Sequence, residues 1–535
     1  MKKFKSVFVL ILVLSTLINC ARRGNPSGGP KDEDAPITIK TIPEFKTVNF
    51  DGEEIKIYFD EYIKLEDISK NLIVSPPLKY PADITPLGTP SKRITIKIKD
   101  TLKENTTYTF NFGESIVDNN ESNPLTGFKY IFSTGNLIDS LSINGSISNS
   151  FKKEKDKYVS VLLYEANKEF NDSTIYKEKP LYVTNSLDSI GWEMDNLKAG
   201  KYHLIALHNE NNNLIYNPKT DKIAFADEVI TIPSEKEYNL NLFKEILEFK
   251  ALKPVEVSKG HIIFPFEGNG DKFQVKLDNN KSNINKLENN MFLEKDKDTL
   301  NYYFKTENKI DSLFFSLTNN DYTVNEKIIL RSKEQDSLKI SVNIRGAMSF
   351  RDTLTLEANT PLTKEINKKL FSIINKDTLA VDFKLQRKHN RKLQILFDKE
   401  ESQNYKVLIL PNAITDFFNQ TNKDTLKYNL RTNKKDSYGS ISLNVLDTKN
   451  KPVIIQLLSL KEEIIEQKYI NKDKKVEFEL LKPEKYLIRI ILDDNNNNIW
   501  DTGSYLKKMQ PEKVIYFNGE IEVKENWFVN ESISL

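Results

Sequence analysis

The chain has one cysteine, Cys20, in 535 residues. No disulfide can form within it, so each folded unit must stand on its own apolar core. Histidine is almost as scarce. His203, His208, His261 and His389 are scattered, none has a partner at metal-ligand spacing, and no second cysteine is there to help. They read as surface or strand-edge residues. A P-loop, a Gly-x-Gly-x-x-Gly fingerprint and a Gly-x-Ser-x-Gly elbow are all missing, and Gly268-Asn269-Gly270 is a simple turn. Neither charge dominates: 78 basic residues are interleaved with 76 acidic ones, which leaves no electrostatic footprint for nucleic acid. Beyond Cys20 there is no second long apolar run, so nothing else reads as a spanning helix. Helical periodicity is scarce throughout.

What is present begins at the N-terminus. Lys2, Lys3 and Lys5 precede a continuous apolar run from Val7 to Leu14, and Leu17-Ile18-Asn19-Cys20 ends it. The run is shorter than the roughly 20 residues a spanning helix needs and sits where a secretory h-region belongs. The segment resembles a bacterial lipoprotein signal, cut before a cysteine that becomes acylated. That implies loss of residues 1–19 and a bilayer partner held through acylated Cys20. Removing Lys2, Lys3 and Lys5 takes the formal net charge from +2 to −1. Each buried CH₂ contributes about 0.8 kcal/mol, so the two or three acyl chains of such a cysteine make a stable anchor. Residues 20–36 are rich in Gly, Pro and charge and read as a flexible tether. Surface lipoproteins of the Bacteroidota tend to carry acids directly after the cysteine. Here Ala21, Arg22 and Arg23 follow, and Asp32, Glu33 and Asp34 come late. The expectation is outer-membrane anchorage with the modules facing the periplasm.

The rest reads as all-β. Ile55, Ile57 and Phe59 alternate with Lys56 and Tyr58, Ile94, Ile96 and Ile98 with Thr95 and Lys97, and Tyr108, Phe110 and Phe112 with Thr109 and Asn111. Period-2 alternation between turn clusters predicts half-buried antiparallel strands, and several in about 100 residues make a sandwich. Phe59-Asp60-Glu61-Tyr62, Ser75-Pro76-Pro77, the run from Asn105 to Asn123, and Phe132-Ser133-Thr134-Gly135 resemble the bacterial Ig-like domain of the SbsA type. That domain opens many Bacteroidota lipoproteins, and it brings no catalytic residues with it. The stretch from Leu197 to Tyr202, a turn leading into a strand, resembles transthyretin-like or carboxypeptidase-regulatory-like sandwiches.

Internal repeats suggest the architecture. Leu197-Lys198-x-x-Lys201-Tyr202 recurs as Leu481-Lys482-x-x-Lys485-Tyr486, and at the same offset Asn211, Asn213, Tyr216 and Asn217 map onto Asn495, Asn497, Trp500 and Asp501. At a second, slightly larger offset Leu72, Ile116, Asp118, Tyr130 and Thr134 map onto Leu370, Ile414, Asp416, Tyr428 and Thr432, while Asp60-Glu61 becomes Asn359-Thr360. The expected order is an Ig-like unit at 37–136, a transthyretin-like unit at 137–248, a further β-unit at 249–345, a degenerate second Ig-like unit at 346–433 and a second transthyretin-like unit at 434–535. The fold class is therefore a string of about five β-sandwiches.

Chemistry is thin. Asp60 and Glu61 are neighbours, so a strand turns them to opposite faces, which suits an edge or turn better than the paired carboxylates of a glycosidase. Trp192, Trp500 and Trp527 lie in runs of strand character and read as packing residues. Asp-Ser/Thr-apolar recurs, as at Asp100-Thr101-Leu102, Asp188-Ser189-Ile190 and Asp377-Thr378-Leu379. It resembles the O-glycosylation site of exported Bacteroidota proteins, and it is equally what a turn opening a strand needs. Asp493, Asn495, Asn497 and Asp501 stand at positions 1, 3, 5 and 9 of a stretch resembling the start of an EF-hand-type calcium loop. Asn498 replaces the usual Gly, and Ser504 stands where a bidentate Glu belongs. The first copy, Asn209, Asn211, Asn213 and Asn217, lacks carboxylates. So few charges imply weak calcium binding, or an Asn-built hairpin loop and no metal. With no other cofactor indicated, the chain reads as a non-catalytic envelope lipoprotein presenting modules for binding, adhesion or scaffolding to an envelope protein or glycan. A polysaccharide-processing enzyme or its glycan-binding subunit, and an export-assembly factor, are the alternatives.

Overall fold

A computed structural model describes residues 32–282, 287–307, 310–331 and 333–535. Cys20, the leader and most of the tether lie outside the described residues. Strands hold 47% of the chain and helices 4%, arranged as small sheets that pair into a series of β-sandwiches. Alternation builds each core. Ile55, Ile57, Ile94 and Ile96 sit opposite one another in register and are fully buried, together with Phe110, Phe112 and Phe132 from the facing sheet.

The duplication extends to strand connectivity. In the first unit the strands Thr38–Ile42, Glu54–Leu65, Ser91–Lys97 and Asp83–Thr85 lie in that order, facing Ile73–Ser75, Thr107–Asn111 and Lys129–Ser133. In the fourth the order Ile340–Val342, Leu354–Ala358, Lys392–Leu396 and Lys384–His389 repeats it, facing Phe371–Ile374, Asn404–Ile409 and Leu426–Arg431. Even the parallel bridge from Thr47 to Phe132 recurs, from Gly346 to Leu430. The second and fifth units match as closely. Each ends with a strand laid parallel on its first one: Tyr238–Leu242 on Leu141–Asn149, and Phe528–Ser534 on Gly439–Leu446. Both first strands carry a Gly-Ser-Ile-Ser run, Gly145–Ser148 and Gly439–Ser442, but not at matching positions: Gly439 lies opposite Leu481 and Gly145 opposite Trp192. Glycine is needed at both. A Cβ on Gly145 would run into the Tyr238 carbonyl oxygen, and one on Gly439 would lie 2.6 Å from the Lys524 carbonyl oxygen.

The units do not simply follow one another. The first packs on the second through Lys129–Asp195 and the Val183 N–H donated to Ser75 Oγ at 3.1 Å. The third meets the fourth through His261 and Phe292, which flank Tyr303, Phe292 set edge-on to His389, and the Arg391–Glu294 pair. Arg351 pairs with Glu466 between the fourth and fifth. The fifth then turns back onto the second, closing units two to five into a ring. Tyr505 enters an apolar cluster of the second unit formed by Leu162, Ile205, Phe225 and Phe243. The larger sheet of the second unit is thus buried on both faces, one by its own core and the other by its own loop residues Ile175, Tyr216 and Phe243 together with Tyr505 of the fifth unit. The sequence signal was the apolar run Val161–Tyr164, and in the fifth unit the runs Val453–Leu458 and Leu487–Leu492, each broken only by one polar residue, Gln456 and Arg489, since a strand buried on both sides does not alternate.

Candidate functional site

The junction between the second and fifth units gathers most of the residues singled out above. The two Asn-rich loops share one backbone. Asn212 and Leu214 adopt positive φ (51° and 61°), as do their equivalents in the second copy, Asn496 and Asn498 (58° and 64°). In the first loop Asn209 Oδ1 accepts the Asn213 N–H at 3.3 Å and Asn213 Oδ1 the Ile215 N–H at 2.9 Å. In the second, Asp493 Oδ1 accepts the Asn497 N–H at 3.0 Å and Asn497 Oδ1 the Ile499 N–H at 2.9 Å. These are Asx turns, the local bonding that suits Asn to such positions.

The closing acids differ. Buried Asp221 takes the Asn209 Nδ2–H and the Asn217 N–H. In the second loop Asn495 and Asn497 donate their amides to Asp501 at 2.5 and 2.7 Å. Glu512 braces this loop, its two oxygens accepting the Asp494 and Asp501 N–H groups at 2.9 and 3.0 Å. Burial pushes the Glu512 carboxyl above its ordinary value, with Asp501 and Asp493 adding repulsion. Glu512 was invisible to spacing arguments because it stands at the far end of the same connection, just before the strand Val514–Tyr516 that returns beside Lys485–Leu492. The Asn495 and Asn497 side-chain oxygens already accept N–H bonds, so a calcium ion would have to compete for them. Among the described residues no group of three or more His, Cys, Asp or Glu side chains is placed to hold a metal.

Beside the loop the two units are locked together. Arg489 is 2% exposed. Its guanidinium lies 3.8 Å from the centre of the Phe151 ring, donates to Gln456 Oε1 at 2.7 Å and Tyr516 Oη at 3.2 Å, and faces Glu462 at 3.5 Å. Phe151 in turn stacks on Trp500 at 4.5 Å. Thr502 and Tyr505 reach Lys244 and Glu245, and Gln510 Nε2 donates to the Phe225 carbonyl and to Asp227. Between Gln510–Val514 and the strand Tyr238–Leu242 opens a cleft of about 960 Å³.

The other candidates are spent on structure. Asp60 accepts the Ile37 N–H at 2.8 Å, and its counterpart Asn359 accepts the Lys339 N–H at 2.8 Å, so both tie down an edge strand. Glu61 is raised by burial and by the nearby Asp118, Asp60, Asp32 and Glu121 carboxylates. In the second copy Thr360 instead donates to Asp416 at 2.9 Å. The histidines do not converge: His203 stacks on Phe170, and His261 bonds Asn301. Trp192 is buried, whereas Trp527 is half exposed. Thr101, Ser189 and Thr378 all stand exposed, the last two at turns.

Fold and site together define an all-β, multi-sandwich protein with Ig-like modules. Residues 32–134 match the model of the bacterial Ig-like domain. No curated protein matches the chain. Solved structures with partial likeness include native alpha-2-macroglobulin from Escherichia coli, domains MG0-NIE-MG1 (12% identity, 34% of this chain and 71% of that one, TM-score 0.18). Another is the Bacteroides ovatus mixed-linkage glucan utilization locus protein SGBP-B (9%, 71% and 93%, 0.18). A third is the surface layer protein SbsC, domains 1–6 (11%, 91% and 67%, 0.16). Superpositions this poor carry no argument about what the chain does.

Proposed function

We propose that the chain is a non-catalytic envelope lipoprotein, anchored in the outer membrane by acylated Cys20 and facing the periplasm, that serves as a binding or scaffolding frame. The observation that carries this reading is the ring closure through Arg489, Phe151 and Tyr505. It fixes four sandwiches relative to one another, while the acidic pair, the histidines and the Asn-rich loops serve the fold's own bonds. The Ig-like match of residues 32–134 supports a module of this class. Full-length protein, cross-linked in envelope membranes and purified in mild detergent, should bring down a specific envelope component. Turnover of a polysaccharide substrate by the same preparation would replace this reading with an enzyme. Cys20→Ser should abolish partitioning into detergent, and unchanged partitioning would remove the anchor. Protease treatment of intact cells should leave the protein whole; release of a soluble fragment would move it to the cell surface.

A further inference from the structure

The cleft at the ring closure has no counterpart elsewhere in the duplication, because it exists only where the fifth unit meets the second. Its volume, about 960 Å³, lies in the range of ligand sites. One wall is the strand Tyr238–Leu242. Ser146 and Ser148 donate their hydroxyls to Asn239 Oδ1 and Asn241 Oδ1, each at 2.6 Å. These bonds occupy the amide oxygens and leave both Nδ2 groups, two positions apart on the exposed face, without a partner among the described residues. The cleft therefore carries amide donors whose orientation is set before anything binds. Ser150 adds a buried hydroxyl with no partner. The lining also carries acceptors, Asp227, Glu228 and, next to the Tyr238–Leu242 strand, Glu237.

Charge and surface narrow the ligand. Four carboxylates, those three and Glu512, stand against Lys236 and Lys513. A local excess of two negative charges repels nucleic acid, phosphates and acidic polysaccharides. An added peptide strand draws its specificity from pockets for alternate side chains, and these walls are mostly amides, hydroxyls and carboxylates. A ligand that is uncharged and dense in hydroxyl donors and acceptors matches them. We propose that the cleft binds a neutral oligosaccharide, held by the Asn239 and Asn241 amides and by the carboxylates that line the same cleft. This rests on the non-catalytic binding reading above and names its ligand class.

The test uses the full-length protein in mild detergent. It is probed on a glycan array carrying gluco-, xylo- and manno-hexaoses with heparin oligosaccharides and a peptide library beside them, then by calorimetry on whatever is retained. Expected is retention of a neutral oligosaccharide without cleavage, weakened at least tenfold by Asn239→Ala with Asn241→Ala at unchanged melting temperature. Asn530→Ala, on the equivalent face of the fifth unit, should leave binding intact. Retention of heparin or peptides alone, of no neutral glycan, or of a glycan indifferent to the Asn239 and Asn241 changes would overturn the proposal. Each of those results leaves the scaffold reading standing if the cross-linked envelope component is still captured, whereas cleavage of the oligosaccharide would sink the non-catalytic reading itself.

Discussion

The first and second units and their counterparts, the fourth and fifth, share strand order and inner cores but not the surfaces their neighbours touch. At one register position of the second unit Leu162 lies opposite Ile205; in the fifth unit the same position holds Gln456 opposite Arg489. The first pair is covered by apolar groups, including Ile175 and Tyr505. The second is covered by Phe151 of the other copy and kept polar. A like divergence separates Asp118 from Asp416. Both are buried and both accept backbone N–H groups at a tight turn. Burial pushes the Asp118 carboxyl up, but four N–H partners outweigh it and the net shift is downward. At Asp416 burial wins and the net shift is upward. Asp416 has fewer backbone N–H partners to offset its burial, and the third unit packs against its turn through Phe418 and Tyr303. Duplication preserved what each sandwich needs alone, and divergence fell where units meet.

The sharpest way to break the comparison is Arg489→Ala. It leaves Glu462 inside the junction without its cation, for which a cost of about 3–5 kcal/mol is expected, read as a lower denaturation midpoint. Adding Glu462→Gln should recover part of the loss; no recovery would mean that Arg489 acts through packing on Phe151 alone. Gly503→Val comes next. A Cβ there lies 2.7 Å from Phe243 and from the Met509 carbonyl oxygen, so the junction must open at about 1–3 kcal/mol. Limited proteolysis should then release the fifth unit before the second, and an unchanged digestion pattern would count against ring closure.

The aspartates sharpen the comparison through pH. A lowered folded-state pKa means that Asp118 stabilises above the unfolded value near 4 and that this is lost as pH falls through the folded value. For Asp416, raised on folding, the contribution is full below that value and lost as pH rises through the folded one. Asp118→Asn should therefore cost about 1–3 kcal/mol at pH 7, whereas Asp416→Asn should cost less there and more in acid. Equal losses at pH 7 would erase the difference drawn between the copies. The smallest effect concerns calcium. Weak binding at the loop of Asp493, Asn495, Asn497 and Asp501 should raise the melting temperature by about 1 °C at several millimolar calcium, and Asp501→Asn should abolish the rise. A melting temperature blind to calcium would leave the loop as an Asx turn and nothing more.

Period-2 alternation was enough to determine the all-β class, because one buried face per strand is a local demand that each residue meets or fails by itself. The two collinear sets of repeats likewise announced two copies of one plan, and the paired Asn loops announced one turn geometry. What the sequence could not carry was the return of the fifth unit onto the second. Closure depends on side chains far apart along the chain, Phe151 and Arg489 among them, and no spacing rule links them. The same holds for Glu512, which reaches the Asn-rich loop from the far end of their shared connection, and for the cleft, whose walls come from two units. An amide such as Asn239 is an ordinary exposed residue in the sequence. Only the tertiary structure, by bonding it to Ser146 and setting the other unit opposite, turned it into an oriented donor.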